Sequence, residues 1–131
     1  MGDSYGGGIV VDVNYAKDEV IIALTENGGS IPVGHDIYVF AEQAVDTFNN
    51  DKEGGYSDWM LPNLFDAKRF IKFVSDIGYS TYNPIWTTDA YDLTKQYTAK
   101  YDYDNSKVVV GNVDKSVATN FIAIRKQVVT A

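Results

Sequence analysis

Strand-like segments occupy both ends of this chain and helix-like segments its middle, and that segregation constrains the fold more than any other feature. Residues Gly8 to Tyr15 are rich in valine and isoleucine, and Glu19 to Leu24, "EVIIAL", is the matching strand across the turn "AKD". Glu26 to Gly34, "ENGGSIPVG", is dense in turn formers and reads as a loop. In the following "HDIYVFAEQAVDTFNN", Ile37, Ala41, Ala44, Val45 and Phe48 recur at spacings of three and four, which predicts a first helix. A polar, glycine-rich connection then leads to a second helix. Asn63 is its expected N-cap, Asp66 stands three residues on in a capping-box position, and Gly78 suits the left-handed position after Ile77. Phe70, Phe73, Val74 and Ile77 are its expected buried stripe. Strand patterns return in "NPIWTTDAYD", in "YTAKYDYDNSKVVVGNV" with a turn at "DNS", and in "ATNFIAIRKQVV". Strands, two helices, strands is the order of an α+β fold with an antiparallel sheet.

A chain of 131 residues suits one domain spanning 1–131. The net charge of -7 argues against nucleic acid and against an anionic membrane as partners, because binding phosphate draws on clustered Lys and Arg. With no cysteine, disulfides, thiolate nucleophiles and zinc–thiolate sites are excluded. No segment reaches the roughly 20 apolar residues of a membrane span, and the start "MGDSYGGGIVVDV" lacks the basic region of a secretory signal. Gly6 stands where N-myristoylation expects Ser or Thr.

The connection between the helices carries "GGYSDWMLPN", residues 54 to 63, which resembles the Gly-Tyr-x-Asp-Trp-Arg-Leu-Pro-Thr signature of the Lcl C-terminal domain family. That family is a branch of the C-type-lectin-like fold found in bacterial surface proteins and phage proteins. Its other landmarks follow in order: "GGIVVDV" resembles the opening strand, "IWTTDAYD" the Tyr-Trp-Ser-Ser-Thr segment, and "FIAIRKQV" the closing strand. Met60, Asn63 and Ile85 depart from the usual Arg, Thr and Tyr. The resemblance implies a C-type-lectin-like domain whose first and last strands pair, with two helices on the sheet and long loops on one side. Within the loop, Trp59 and Leu61 are expected to plug the core, Gly54 and Gly55 to adopt positive φ, and Pro62 to set up the helix entrance.

The ingredients of catalysis are sparse. His35, the sole histidine, lies beside Asp36 at a helix start without a paired nucleophile, so a surface or capping role is expected and no catalytic residue is assigned. The related formylglycine-generating enzymes depend on cysteine, which this chain lacks. Asp102, Asp104 and Asn105 have the tight spacing of a calcium loop but neither its glycine nor its downstream Glu, which favours an acidic hairpin turn. The calcium and sugar motifs Glu-Pro-Asn and Trp-Asn-Asp are missing, and Leu61 stands where a ligand carboxylate would be. No cofactor or metal is expected.

Tyrosine is heavy at 10 residues, and it supplies rigid contact area with a polar tip. Tyr82, Tyr91, Tyr97, Tyr101 and Tyr103 are the candidate partner-binding residues, whereas Trp86 is expected in the core. Arg125 is expected to make a structural ion pair across the sheet, and Glu42 and Asp46 to form a solvated face. The functional expectation is a non-enzymatic structural or binding module, a phage virion protein that decorates a capsid or accompanies a fibre, with host-surface recognition within its range. It would be assembled in the host cytoplasm and sit on the virion surface. The alternative is an adhesin-like domain on a bacterial cell surface that binds glycan or host protein. Expected partners are other virion or surface proteins and a glycan, and the often trimeric relatives imply a homo-oligomer.

Overall fold

The computed structural model describes residues 4–24, 34–76 and 84–129. In chain order its elements are β1 (Ser4–Tyr5), β2 (Gly8–Asn14), β3 (Glu19–Leu24), β4 (Gly34–Asp36), α1 (Tyr38–Asn50) and α2 (Leu64–Asp76). β5 (Ile85–Ala90), β6 (Lys95–Asp102), β7 (Lys107–Asp114), β8 (Thr119–Phe121) and β9 (Ile124–Val128) follow. The fold is α+β with two helices among the described residues, as the order of elements predicts. The strands divide into two sheets rather than one, in the orders β1-β2-β3-β9 and β4-β8-β5-β6-β7. The second sheet is mixed, because β5 meets β8 in parallel at Ile85 and Asn120.

The division follows from which strands can be buried on both faces. In β3, Ile21 and Ala23 join one core cluster with Ala67, Phe70, Ile71 and Val74 of α2, while Val20, Ile22 and Leu24 join a second with Ala41 and Val45 of α1. A strand apolar on both sides belongs inside a sheet, so β3 lies between β2 and β9. The expectation that the first and last strands pair is therefore corrected: β9 lies beside β3, with Ile22 opposite Arg125, and β1 folds back onto β2 through Gly6 and Gly7. A bulge in β2 between Val10 and Asp12 breaks its alternation. Asp12 thereby reaches Arg69 of α2, while Val13 packs on the α1 side.

The last strand-like segment is two strands. Ile122 and Ala123 carry the buried run "FIAI" out of β8 in one sheet and into β9 in the other. His35 and Asp36 lie in the short β4 instead of opening the first helix, whose N-cap is Ile37. Of the α2 stripe, Phe70 and Val74 are fully buried and Phe73 packs against the same cluster. Ile77 and Gly78 lie outside the described residues, as does nearly all of the "ENGGSIPVG" loop.

The connection from α1 to α2 is architecture. Trp59 and Leu61 are buried, as expected, and Asn49 holds Trp59 from both sides: its amide donates to the Trp59 carbonyl at 2.9 Å and accepts from the Trp59 N–H at 2.7 Å. The indole N–H donates to the Glu53 carbonyl at 2.8 Å. Gly54 and Gly55 have φ of +62° and +88°, and a Cβ at Gly54 would lie 2.6 Å from the Gly7 carbonyl oxygen. Met60 exchanges backbone hydrogen bonds with Ile124, which extends the β9 edge.

Asn63 caps α2, its side-chain oxygen accepting the Asp66 N–H at 2.8 Å. The Asp66 carboxylate does not complete a capping box. It is buried and pairs with Lys126 at 2.6 Å, fixing α2 to β9. Arg125 also departs from the expected cross-sheet pair. Its guanidinium reaches Asp58 in the loop at 2.7 Å, lies 3.7 Å from the Tyr56 ring centroid, and donates to the Gly6 carbonyl at 3.1 Å.

Candidate recognition surface

The residues of β6 alternate between two faces, which decides the fate of its tyrosines. Tyr97, Ala99 and Tyr101 share the face that meets α2. Ala99 and Tyr101 are buried there with Phe70, Ile71 and Val74, and Tyr101 is 7% exposed. The expectation that Tyr101 is a surface contact is thus corrected, because α2 covers it. Tyr103 lies just past the strand, exposed, with its ring edge to face on Tyr101 at 4.8 Å. Tyr97 is half-buried and meets Tyr91 in the same way at 5.4 Å. Tyr97 and Tyr101 are four residues apart, or about 13 Å along an extended strand. The candidate tyrosines therefore form two separate pairs near opposite ends of β6, and Tyr82 lies outside the described residues. Trp86 is fully buried, with its indole N–H donating to the Asp36 carbonyl at 2.9 Å.

The Tyr91 end is the richer surface. The loop from Tyr91 to Thr94 is braced by Asp92, whose carboxylate accepts the Thr94 and Lys95 N–H groups at 2.8 and 2.9 Å and the Thr94 hydroxyl at 3.2 Å. These hydrogen bonds, the Thr94 backbone bond foremost, hold the Asp92 carboxyl below its ordinary value. Between them Leu93 points outward, 96% exposed. The Thr94 carbonyl accepts the Lys115 N–H at 2.8 Å, and the Lys115 carbonyl accepts the Tyr38 N–H at 3.1 Å. Three segments are thereby laced together: the β5–β6 loop, the turn after β7, and the start of α1. They carry exposed Tyr91, Leu93, Val117, Val39 and Phe40. These exposed apolar side chains, carried on hydrogen-bonded neighbouring segments, are the candidate contact residues at this end, termed the Leu93 platform.

Leu93, Val117, Val39 and Phe40 are not among the residues expected from the sequence. The signal for Leu93 was present in "DLTK", where an Asp followed by Thr two positions on builds a turn that turns the intervening side chain outward. Val39 and Phe40 were legible as aliphatic and phenyl side chains of α1 that fall off the Ile37, Ala41, Ala44, Val45, Phe48 stripe.

His35, Asp102 and Asp114 are committed to local structure. The Asp102 carboxylate closes its own hairpin turn, accepting from the Asn105 side chain at 2.7 Å and from the Asp104 and Asn105 N–H groups at 3.0 and 3.3 Å. Those bonds, with the Asn105 side chain first, depress its pKa. Asp114 does the same for Ser116. The His35 ring meets the Asn120 side-chain oxygen at 2.8 Å across β4 and β8. Among the described residues no group of three or more His, Asp and Glu side chains is placed to hold a metal ion, and no helix is long and apolar enough to cross a membrane. Compared with known proteins, the chain matches no family model and no curated sequence.

Proposed function

We propose that the chain is a non-enzymatic binding module of a phage virion, a capsid-decorating or fibre-associated domain of the C-type-lectin-like kind, which meets a neighbouring virion protein through the Leu93 platform. The observation that carries this reading is Leu93 itself, 96% exposed on a turn braced at both ends. A buried leucine is worth roughly 1.5–3 kcal/mol over an exposed one, a gain open to a partner that covers Leu93. Asp92 fixes the turn that presents the side chain. The non-enzymatic part is supported by the histidine and the turn carboxylates. His35 is engaged with Asn120, and Asp92, Asp102 and Asp114 are held ionised as turn caps, the reverse of a poised general acid. The C-type-lectin-like part is supported by the "GGYSDWMLPN" motif, whose Trp59, Leu61 and Asn63 act as core plug and helix cap.

Mass spectrometry of purified virions from the source tests the reading. The protein is expected in the particle, and Leu93→Asp is expected to reduce its incorporation while leaving it folded. Its absence from virions, together with glycan-array binding that Tyr91→Ala abolishes, would select the bacterial adhesin-like alternative.

A further inference from the structure

A second surface carries its own signal. A groove of about 180 Å³ runs between α1 and the 59–61 segment, lined by Val45, Trp59, Met60 and Leu61 with Glu42, Asp46 and Thr88. Val45, Trp59 and Leu61 belong to the core and show only their edges here, Met60 is 40% exposed, and the polar lining is led by two carboxylates. Glu42 and Asp46 stand one helical turn apart on α1, both exposed, and neither has an ion-pair partner among the described residues. Like charges at this spacing repel and destabilise their own helix, and a cation between them would relieve both.

We infer that this groove seats a single basic side chain of a partner polypeptide, an arginine whose guanidinium lies between Glu42 and Asp46 and whose aliphatic stem lies on Trp59, Met60 and Leu61. Three features fit this occupant. The groove is smaller than the roughly 300–1,000 Å³ of pockets that enclose whole small molecules, so it takes one side chain. Two carboxylates one turn apart match the planar fork of a guanidinium, which donates to both, better than the point charge of an ammonium. The exposed Met60 side chain beside two carboxylates suits a side chain with a long hydrocarbon stem and a charged head. The chain's charge of -7 favours basic partners in general, and the groove gives that preference a place. The inference is independent of the Leu93 platform, which is built on other residues.

Titration of the 15N-labelled full chain at low ionic strength tests it, with the blocked peptide acetyl-Ala-Leu-Arg-Leu-Ala-amide as the probe and its citrulline counterpart as the neutral control. Saturable shifts are expected at the Trp59 indole and the Thr88 amide, with binding weaker by about ten-fold for citrulline. A similar loss is expected in the Glu42→Gln/Asp46→Asn double variant, whose substitutions keep shape at exposed positions and whose own spectrum reports that it is folded. Equal binding of the two peptides, an unaffected double variant, or shifts confined to other regions would overturn the inference. Saturation by spermidine at the same concentration as the arginine peptide would assign the groove to a free polyamine and overturn the commitment to a polypeptide. Loss of virion incorporation in Leu93→Asp bears on none of these outcomes, so the two ideas fail separately.

Discussion

Tyr91 and Tyr97 meet edge to face, with ring centroids 5.4 Å apart and planes at 86°, so the loop after β5 is tied to the start of β6 by an aromatic contact. Tyr101, on the same face of β6, is instead sealed beneath α2. The two positions therefore differ in kind. Tyr91→Ala is expected to cost about 1 kcal/mol, the scale of one aromatic pair. Tyr101→Ala, which empties a core site, is expected to cost about 3 kcal/mol or more. Urea unfolding of the two variants checks the contrast, and equal losses would contradict the assignment of faces.

Arg125 is the buried end of an unequal pair. Its side chain is 6% exposed while that of Asp58 is 53% exposed. Asp58→Asn is expected to cost under about 1 kcal/mol, since a solvated carboxylate contributes little. Arg125→Met removes the hydrogen bond to the Gly6 carbonyl and the stack on Tyr56 as well, and is expected to cost about 2–3 kcal/mol. Chemical denaturation of both variants tests the ranking.

The cap of α2 gives a third expectation. Asn63→Ala is expected to destabilise by about 1 kcal/mol, because the Asp66 N–H loses its acceptor, and Asn63→Asp is expected to restore most of it. An Ala variant as stable as the parent would show that the Lys126–Asp66 pair and the Asp89 contact to the Leu64 N–H hold the helix start unaided.

Asp12 sets a pH dependence. Burial, the largest influence, raises its carboxyl above the ordinary 3.8 even though the Arg69 guanidinium lies 2.7 Å away and the nearby Asp66 adds to the rise. A carboxyl with a raised folded-state pKa binds its proton more tightly when folded. Its contribution to stability is therefore present below the unfolded value and lost as pH rises through the folded one. Relative to the parent, Asp12→Asn is expected to gain stability as pH climbs from about 3.5 toward neutrality. Parallel denaturation series across that range measure the difference, and a parent that gains on the variant with rising pH would show that Arg69 outweighs burial.

The elements themselves were largely legible in the sequence. Alternation and turn residues located β2, β3, β5, β6 and β7, and the spacing of apolar residues located both helices. The Asn63 cap was legible from its place before the apolar stripe of α2, and the burial of Trp59, Leu61 and Trp86 from the resemblance of their segments and from the general burial of bulky apolar side chains. The division into two sheets was hidden because "FIAI" is buried throughout, and a continuous apolar run gives no sign of where a chain leaves one sheet for another. The face of Tyr101 depended on where α2 lies, which is a relation between distant segments. For the Leu93 platform the single residues left a signal but their joining did not, because the backbone bonds from Thr94 through Lys115 to Tyr38 link residues far apart in the chain.

The proposed role of the Leu93 platform is to hold this domain in a particle. The direct measurement is photo-cross-linking in purified virions with Leu93→p-benzoylphenylalanine, set against the same probe at the exposed Tyr15 in the β2–β3 turn. The account predicts an adduct between position 93 and a virion protein, and none from position 15. A protein absent from the particle, or an adduct from position 15 with none from position 93, would contradict it.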